Sequence, residues 1–208
     1  MANSDDMLCS GSRALLCWDP MAGVLVLGAA GMMGHKLCQI LEARGHGVIA
    51  AVRTRHAGLH SLLKRSRIVE NVDPLLEGRF EALFRDLRPD VVVNCIGIVK
   101  QKEAASQKAI SAAVNSWLPH RLATLAASNG AFLIHLSTDC VFDGIQGHYM
   151  EADAPSARDV YGLSKFLGET DPQEQGALTL RTSIIGRELR RPTHGLVEWF
   201  LSQKGKTI

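Results

Sequence analysis

The chain has 208 residues, 46% of them hydrophobic and 21% charged, with a formal net charge of +2. That length supports one substantial core. A charge so near zero, spread along the chain, argues against nucleic-acid or membrane-surface partners, and no apolar run is long enough to span a bilayer. The five cysteines (Cys9, Cys17, Cys38, Cys95, Cys140) are scattered with no CxxC pair. Neither a metal site nor a disulfide framework is therefore expected, and a reducing, cytoplasmic setting is.

Residues 1–20 (MANSDDMLCSGSRALLCWDP) lack the charged start and long apolar core of a secretory signal. They read as an extension ahead of Met21, and an ordinary disordered tail is equally compatible. The folded domain is expected over 21–208.

Residues 24–28 (VLVLG) form a continuous apolar run ending in glycine, which predicts a buried parallel strand. GAAGMMG follows, and Met33, Leu37, Ile40 and Leu41 then repeat at helical period. Strand, glycine turn and helix together make a cradle for a dinucleotide pyrophosphate. Gly28 permits the tight turn, Gly31 lets backbone approach the phosphates, and Gly34 lets the helix pack on the strand. The spacing is GxxGxxG rather than GxGxxG, and no Lys-Ser/Thr follows, which excludes a nucleoside-triphosphate loop. A plain tight turn before a surface helix would carry the same glycines; the flanks favour dinucleotide binding.

Residues 48–52 (VIAAV) predict a second strand, followed by Arg53 and Arg55, with no Asp or Glu between Glu42 and Glu70. A carboxylate there suits the ribose hydroxyl of NAD, and an arginine suits the 2′-phosphate of NADP. NADPH is therefore expected, with NADH the alternative; a solvated turn is the plainer reading of the two arginines. Residues 67–71 give a weak third strand, followed by Asp73. Phe80, Leu83, Phe84 and Leu87 form the buried stripe of a helix ended by Pro89. Residues 91–96 (VVVNCI) are a fourth strand closed by Gly97, with Cys95 read as a packed side chain. Residues 103–128 are helical in pattern, and Pro119 is expected to break or kink them. Asn115, mildly unfavourable inside a helix, has either a polar task near the site or a place in solvent.

Residues 131–136 predict a fifth strand that delivers Ser137, Thr138 and Asp139 to its carboxyl end, where ligands of open parallel sheets bind. His135 reads as a packed histidine. After a turn at Asp143-Gly144 and a loop over 147–159, residues 161–170 predict a helix. It carries Tyr161 and Lys165 on one face. An adjacent ammonium favours phenolate, so the pair is suited to general acid/base work between a carbonyl and an alcohol. Residues 177–181 (ALTLR) give a sixth strand, Leu196, Val197, Phe200 and Leu201 a final helix, and 206–208 the start of another strand. The alternation specifies an α/β fold, a three-layer, doubly wound, Rossmann-type and mostly parallel sheet.

GAAGMMG, PDVVVN, LSTDCVFDG, YGLSK with its following GE, and LRTS together resemble the extended short-chain dehydrogenase/reductases. The branch they are most similar to is that of the dTDP-4-dehydrorhamnose reductases. The resemblance runs from about Val24 to the end. It implies an NAD(P)-dependent oxidoreductase of nucleotide-sugar metabolism and rhamnose biosynthesis, reducing a 4-keto sugar nucleotide. In that reading Thr138 binds the substrate carbonyl and Tyr161 protonates it, while Lys165 holds the nicotinamide ribose and lowers the tyrosine's pKa. Gly28, Gly31, Met32, Met33 and Gly34 hold the pyrophosphate, Arg53 faces the 2′-phosphate, Asp73 lies near the adenine and Gly97 lines the cofactor. Asp139 belongs to the substrate end, and Asn115 supports the active-site helix. A homodimer is compatible, and no metal is implied within the site. The resemblance also implies a C-terminal substrate region that is largely missing here. A nucleotide-sugar epimerase, another sugar-nucleotide reductase, or a non-catalytic dinucleotide-binding subunit like the regulatory subunit of methionine adenosyltransferase share these motifs.

Overall fold

The computed structural model describes residues 23–99, 108–171 and 176–205. The expected extension over 1–20, the beginning of the 103–128 helix and the strand expected at 206–208 lie outside them. Six strands form one sheet in the order β3-β2-β1-β4-β5-β6, and each neighbouring pair is parallel. In chain order these are β1 (Gly23–Leu27), β2 (Gly47–Ala51), β3 (Arg67–Val69), β4 (Val91–Asn94), β5 (Phe132–Ser137) and β6 (Ala177–Arg181). The strand order reverses between β1 and β4, which opens a crevice at their carboxyl ends.

β1 shows why the sheet is central. Side chains alternate along a strand, and Leu25 and Leu27 enter one apolar cluster while Val24 and Val26 enter another. The first cluster is closed by α3 (Arg79–Leu87), through Phe80, Leu83 and Phe84, and by α5 (Leu118–Ser128), through Leu118, Leu122 and Ala126. The second is closed by α1 (Met32–Ala43) and α2 (Ala57–Leu62), through Cys38 and Leu59. Helices thus cover both faces, and each fully buried large side chain contributes about 1.5–3 kcal/mol relative to exposure.

Pro119 does not break the long helix. The chain runs from α4 (Lys108–Ser111) through a π-helical turn, Ala112–Trp117, into α5. A proline ring clashes with the carbonyl four residues earlier and offers it no N–H. That carbonyl is the one on Asn115, so the turn widens there rather than ending.

The far end of the sheet is less covered. Leu178 and Leu180 on one face of β6 are exposed, and α7 (Leu196–Ser202) buries none of its residues. Among the described residues, no helix is long and apolar enough to cross a membrane.

Candidate active site

The carboxyl ends of β1, β4 and β5 lie side by side, and α6 (Val160–Phe166) packs against the turn that follows β5. β1 runs into Gly28, which has φ +74°; a Cβ there would stand 2.9 Å from the Cys95 carbonyl oxygen beyond β4. Gly28 is thus required by its conformation and by the closeness of the two strands. At Gly34 a Cβ would fall on the Gly28 carbonyl oxygen and 2.9 Å from Ala29 Cα, which seats α1 directly on the turn. Gly31 N donates to Gly28 O at 2.9 Å, and Gly31 is the N-cap of α1 without any side-chain cap. The first amides of α1, Met32 and Met33 among them, therefore have no side-chain acceptor, the condition for holding an anion.

Thr138 is 5% exposed and follows β5 directly. Its Oγ1 accepts from Cys140 N and donates to Asp139 Oδ1, both at 3.2 Å, as it caps the short 3₁₀ turn Asp139–Val141. Asp159 caps α6 by accepting from Gly162 N at 2.9 Å. The Tyr161 phenol lies close to Thr138. Burial raises the tyrosine's pKa above its ordinary value; the nearby Thr138 hydroxyl opposes this, and Cys140, Asp139 and Asp159 add to it. The lowering expected from Lys165 is thus reversed. The first reason is the burial of the phenol; Asp139 and Asp159 then add negative charge beside it, while Lys165 Nζ is turned to the Leu136 carbonyl, to which it donates at 2.6 Å. Lys165 is 4% exposed. Burial pulls its pKa down to about 8 against the pull of Glu169 and Cys95.

Asn115 is buried and serves the polar task. Its side chain accepts from Ile98 N at 2.8 Å and donates to Ile98 O and to Ser164 Oγ, each at 3.1 Å. It so ties the stretch after β4 to α6. A Cβ on Gly97 would lie 3.5 Å from Asn115 Oδ1 and 4.0 Å from Lys165 Nζ, which places Gly97 beside both. Asn115's freed carbonyl is met by Gly168, where any Cβ would collide with it.

The other expected site residues lie further out. Arg53 is exposed just beyond β2. Asp73 lies past β3, and its Oδ1 accepts from Leu75 N at 2.9 Å. Asp139 Oδ2 accepts from Ser183 Oγ at 2.6 Å; Ser183, from the segment after β6, ends the LRTS stretch but was given no role from the sequence. Arg190 was not singled out at all. Its pKa is lowered by burial and by Arg53, a neighbour that shares its charge. Arg190 belongs to a strap that crosses the crevice rim: Leu189 touches Gly58 of α2, and Met32 lies against Gly186 and Gly195. Beside Asp139 and Cys140 opens a cavity of about 640 Å³. One wall is a stack of Phe142 on Tyr149, centroids 4.3 Å apart, with the Arg181 guanidinium 5.1 Å from the Phe142 ring. Arg181 is held by Glu169 through bonds of 2.9 and 2.8 Å, and Glu169 also accepts from Ser137 Oγ at 2.7 Å. No group of three His, Cys, Asp or Glu placed to hold a metal occurs among the described residues.

A parallel sheet in this order, with a glycine turn after β1 and a hydroxyl, phenol and ammonium gathered beyond β5, is the architecture of the extended short-chain dehydrogenase/reductases. The family model of the RmlD substrate binding domain matches residues 21–196, and the chain belongs to that family. It is similar to a dTDP-4-dehydrorhamnose reductase of Streptomyces griseus, 37% identical over 146 residues, covering 70% of this chain and 43% of that protein. Similarity to methionine adenosyltransferase 2 subunit beta of Rattus norvegicus is 32% over 181 residues, covering 83% and 49%. Among solved structures, a hypothetical dTDP-4-dehydrorhamnose reductase from Sulfolobus tokodaii superposes with a TM-score of 0.72 at 28% identity. It covers 89% of this chain and 63% of that one. The chain spans about half the length of the curated relatives it matches.

Proposed function

We propose that this chain carries the cofactor-binding and catalytic residues of an NADPH-dependent reductase. Its substrate is a nucleotide-linked 4-keto sugar of the dTDP-4-dehydrorhamnose type. The observation that carries this reading is Thr138, buried at the carboxyl end of β5, with Tyr161 close to it and Lys165 one helical turn further along α6. The uncapped start of α1 and the opening at Gly31 fit the pyrophosphate of a dinucleotide. Gly97 and Lys165 fit the nicotinamide side, and Arg53, with Arg190 near it, fits a 2′-phosphate. NADH is the alternative cofactor.

When bound, the dinucleotide supplies the hydride. Thr138 Oγ1 orients the keto oxygen toward the phenol. Tyr161 gives its proton to that oxygen as negative charge develops there. A half-buried phenol with a raised pKa keeps its proton at neutral pH, the state a reductase needs at the start of its cycle. Asp139, held by Ser183, lies between the hydroxyl pair and the Phe142–Tyr149 cavity, where the sugar nucleotide is received.

The test follows nicotinamide absorbance with NADPH and dTDP-4-dehydrorhamnose, comparing the chain with Tyr161→Phe. Turnover should fall by about 10²–10⁴-fold while NADPH binding is kept; undiminished turnover in Tyr161→Phe rejects the mechanism. The long similarity to methionine adenosyltransferase 2 subunit beta supports a second reading, a dinucleotide-binding regulatory subunit. NADPH binding without turnover, together with binding to a methionine adenosyltransferase catalytic subunit, would favour it.

A further inference from the structure

Beneath the candidate lysine lies a buried polar chain that the chemistry above does not use. Asn94, the last residue of β4, and His135, on β5, are both 0% exposed. Asn94 Oδ1 accepts from the backbone N–H of Ile96 at 3.1 Å. A backbone N–H can only donate, so this bond fixes the amide's orientation and leaves its NH₂ pointing the other way. That NH₂ faces His135 Nδ1 at 3.1 Å. Nδ1 must therefore be the accepting nitrogen, and the neutral ring carries its proton on Nε2. Nε2 stands 3.5 Å from Lys165 Nζ.

The imidazole thus presents an N–H, not a lone pair, to the lysine. An ammonium gains nothing from that neighbour, whereas a neutral amine can accept from it. We propose that Asn94 and His135 are positioning residues: by fixing the imidazole tautomer they set how readily Lys165 holds its proton. This rests on the reading of Lys165 as the site lysine. The other groups facing Lys165 are Glu169 after α6, which favours its charge, and Cys95 after β4. Cys95 is a thiol pushed up to about 12 by burial and so neutral. Tyr161 lies one turn earlier on α6, and Leu136 O takes one ammonium proton. Burial lowers the lysine's pKa to about 8, and the imidazole N–H is a geometric contribution beside it. Imidazolium would place an N–H against the Asn94 NH₂, and burial with the nearby Lys165 charge holds His135 down at about 3.

Asn94→Asp reverses the arrangement. A carboxylate still accepts from Ile96 N–H but draws the ring proton to Nδ1, so the Nε2 lone pair turns to Lys165. The experiment is an NMR titration of the lysine ε-methylene in the full chain, assigned with Lys165→Arg and read without substrate or turnover. Wild-type Lys165 should titrate near 8. Asn94→Asp should raise that midpoint by about one unit. His135→Met, which removes the opposing N–H and introduces no charge, should raise it too, and it provides the reading if Asn94→Asp does not fold. An unchanged midpoint in the folded variants, or a wild-type midpoint at the ordinary lysine value, overturns the proposal. If turnover is measurable, the alkaline limb of its pH profile should move with the NMR midpoint. If the reductase reading fails, the midpoint shift remains, so the two ideas fall separately.

Discussion

His135 makes the stability of the chain depend on acid in a way that one substitution should remove. The ring is fully buried, and its pKa is lowered from 6.5 to about 3, first by burial and then by the charges of Lys165 and His120. The unfolded chain takes up this proton near 6.5, while the folded chain refuses it until about 3. Between those values the unfolded state binds more protons, so the contribution is complete above 6.5 and declines as the pH falls. Each pH unit inside the window is worth about 1.4 kcal/mol, so acidification to about pH 4 should cost ~3 kcal/mol through this residue. Urea unfolding followed by tryptophan fluorescence, in pH steps, measures it. The comparison is with His135→Met, since the carboxylates common to both chains cancel in the difference. Wild type should lose stability toward acid more steeply than the variant. Parallel curves for the two chains would refute the reasoning, because a histidine that titrates alike in both states contributes no slope.

Two further predictions concern packing around the same crevice. Gly34→Ala should lower stability by about 1–3 kcal/mol, because its Cβ would fall on the backbone of Gly28 and Ala29 and neither can retreat. Gly31→Ala, whose Cβ would approach only Gly28 O at 3.2 Å, should cost clearly less; equal thermal shifts would contradict the seating of α1 on the turn. Glu169→Gln takes the charge from a carboxylate that accepts from Ser137 and twice from Arg181, with side chains 9% and 23% exposed. A loss of about 2 kcal/mol in chemical denaturation is expected, and an unchanged midpoint would mean that the network under β5 carries no stability.

β1, β2 and β4 were legible in the sequence because each is an apolar run bounded by turn residues, whereas β3 (RIV) and β6 (ALTLR) carry polar side chains and gave a weaker signal. α2 was not, since only Leu59 of its six residues is buried and its cap, His56, is an uncommon one. Thr138, Tyr161 and Lys165 were legible as a constellation because strand end and helix spacing bring them together. The direction of the tyrosine's pKa was not: it depends first on the burial of the phenol and then on neighbours such as Cys140 and Asp139, which tertiary structure brings to it. The contact of Ser183 with Asp139, and Arg190 altogether, were missed for a related reason. Ser183 meets Asp139 across 44 positions of chain, and Arg190 reaches Arg53 only because a strap after β6 crosses the rim. Pro119 was read as breaking or kinking the helix; the helix continues, and the irregularity takes the form of a widened turn just before the proline.

That widened turn separates two things a helix ordinarily keeps together. A π turn accommodates one residue more than an α turn without rotating the helix on either side. The phase of α5, and with it the burial of Leu118, Leu122 and Ala126, is thus independent of the extra residue. The inward reach of Asn115 depends on it. A one-residue deletion within 112–117 would leave the phase of α5 in place and be felt in the turn itself, at buried Val114 and at the tether between Ile98, Ser164 and the helix that carries Tyr161 and Lys165.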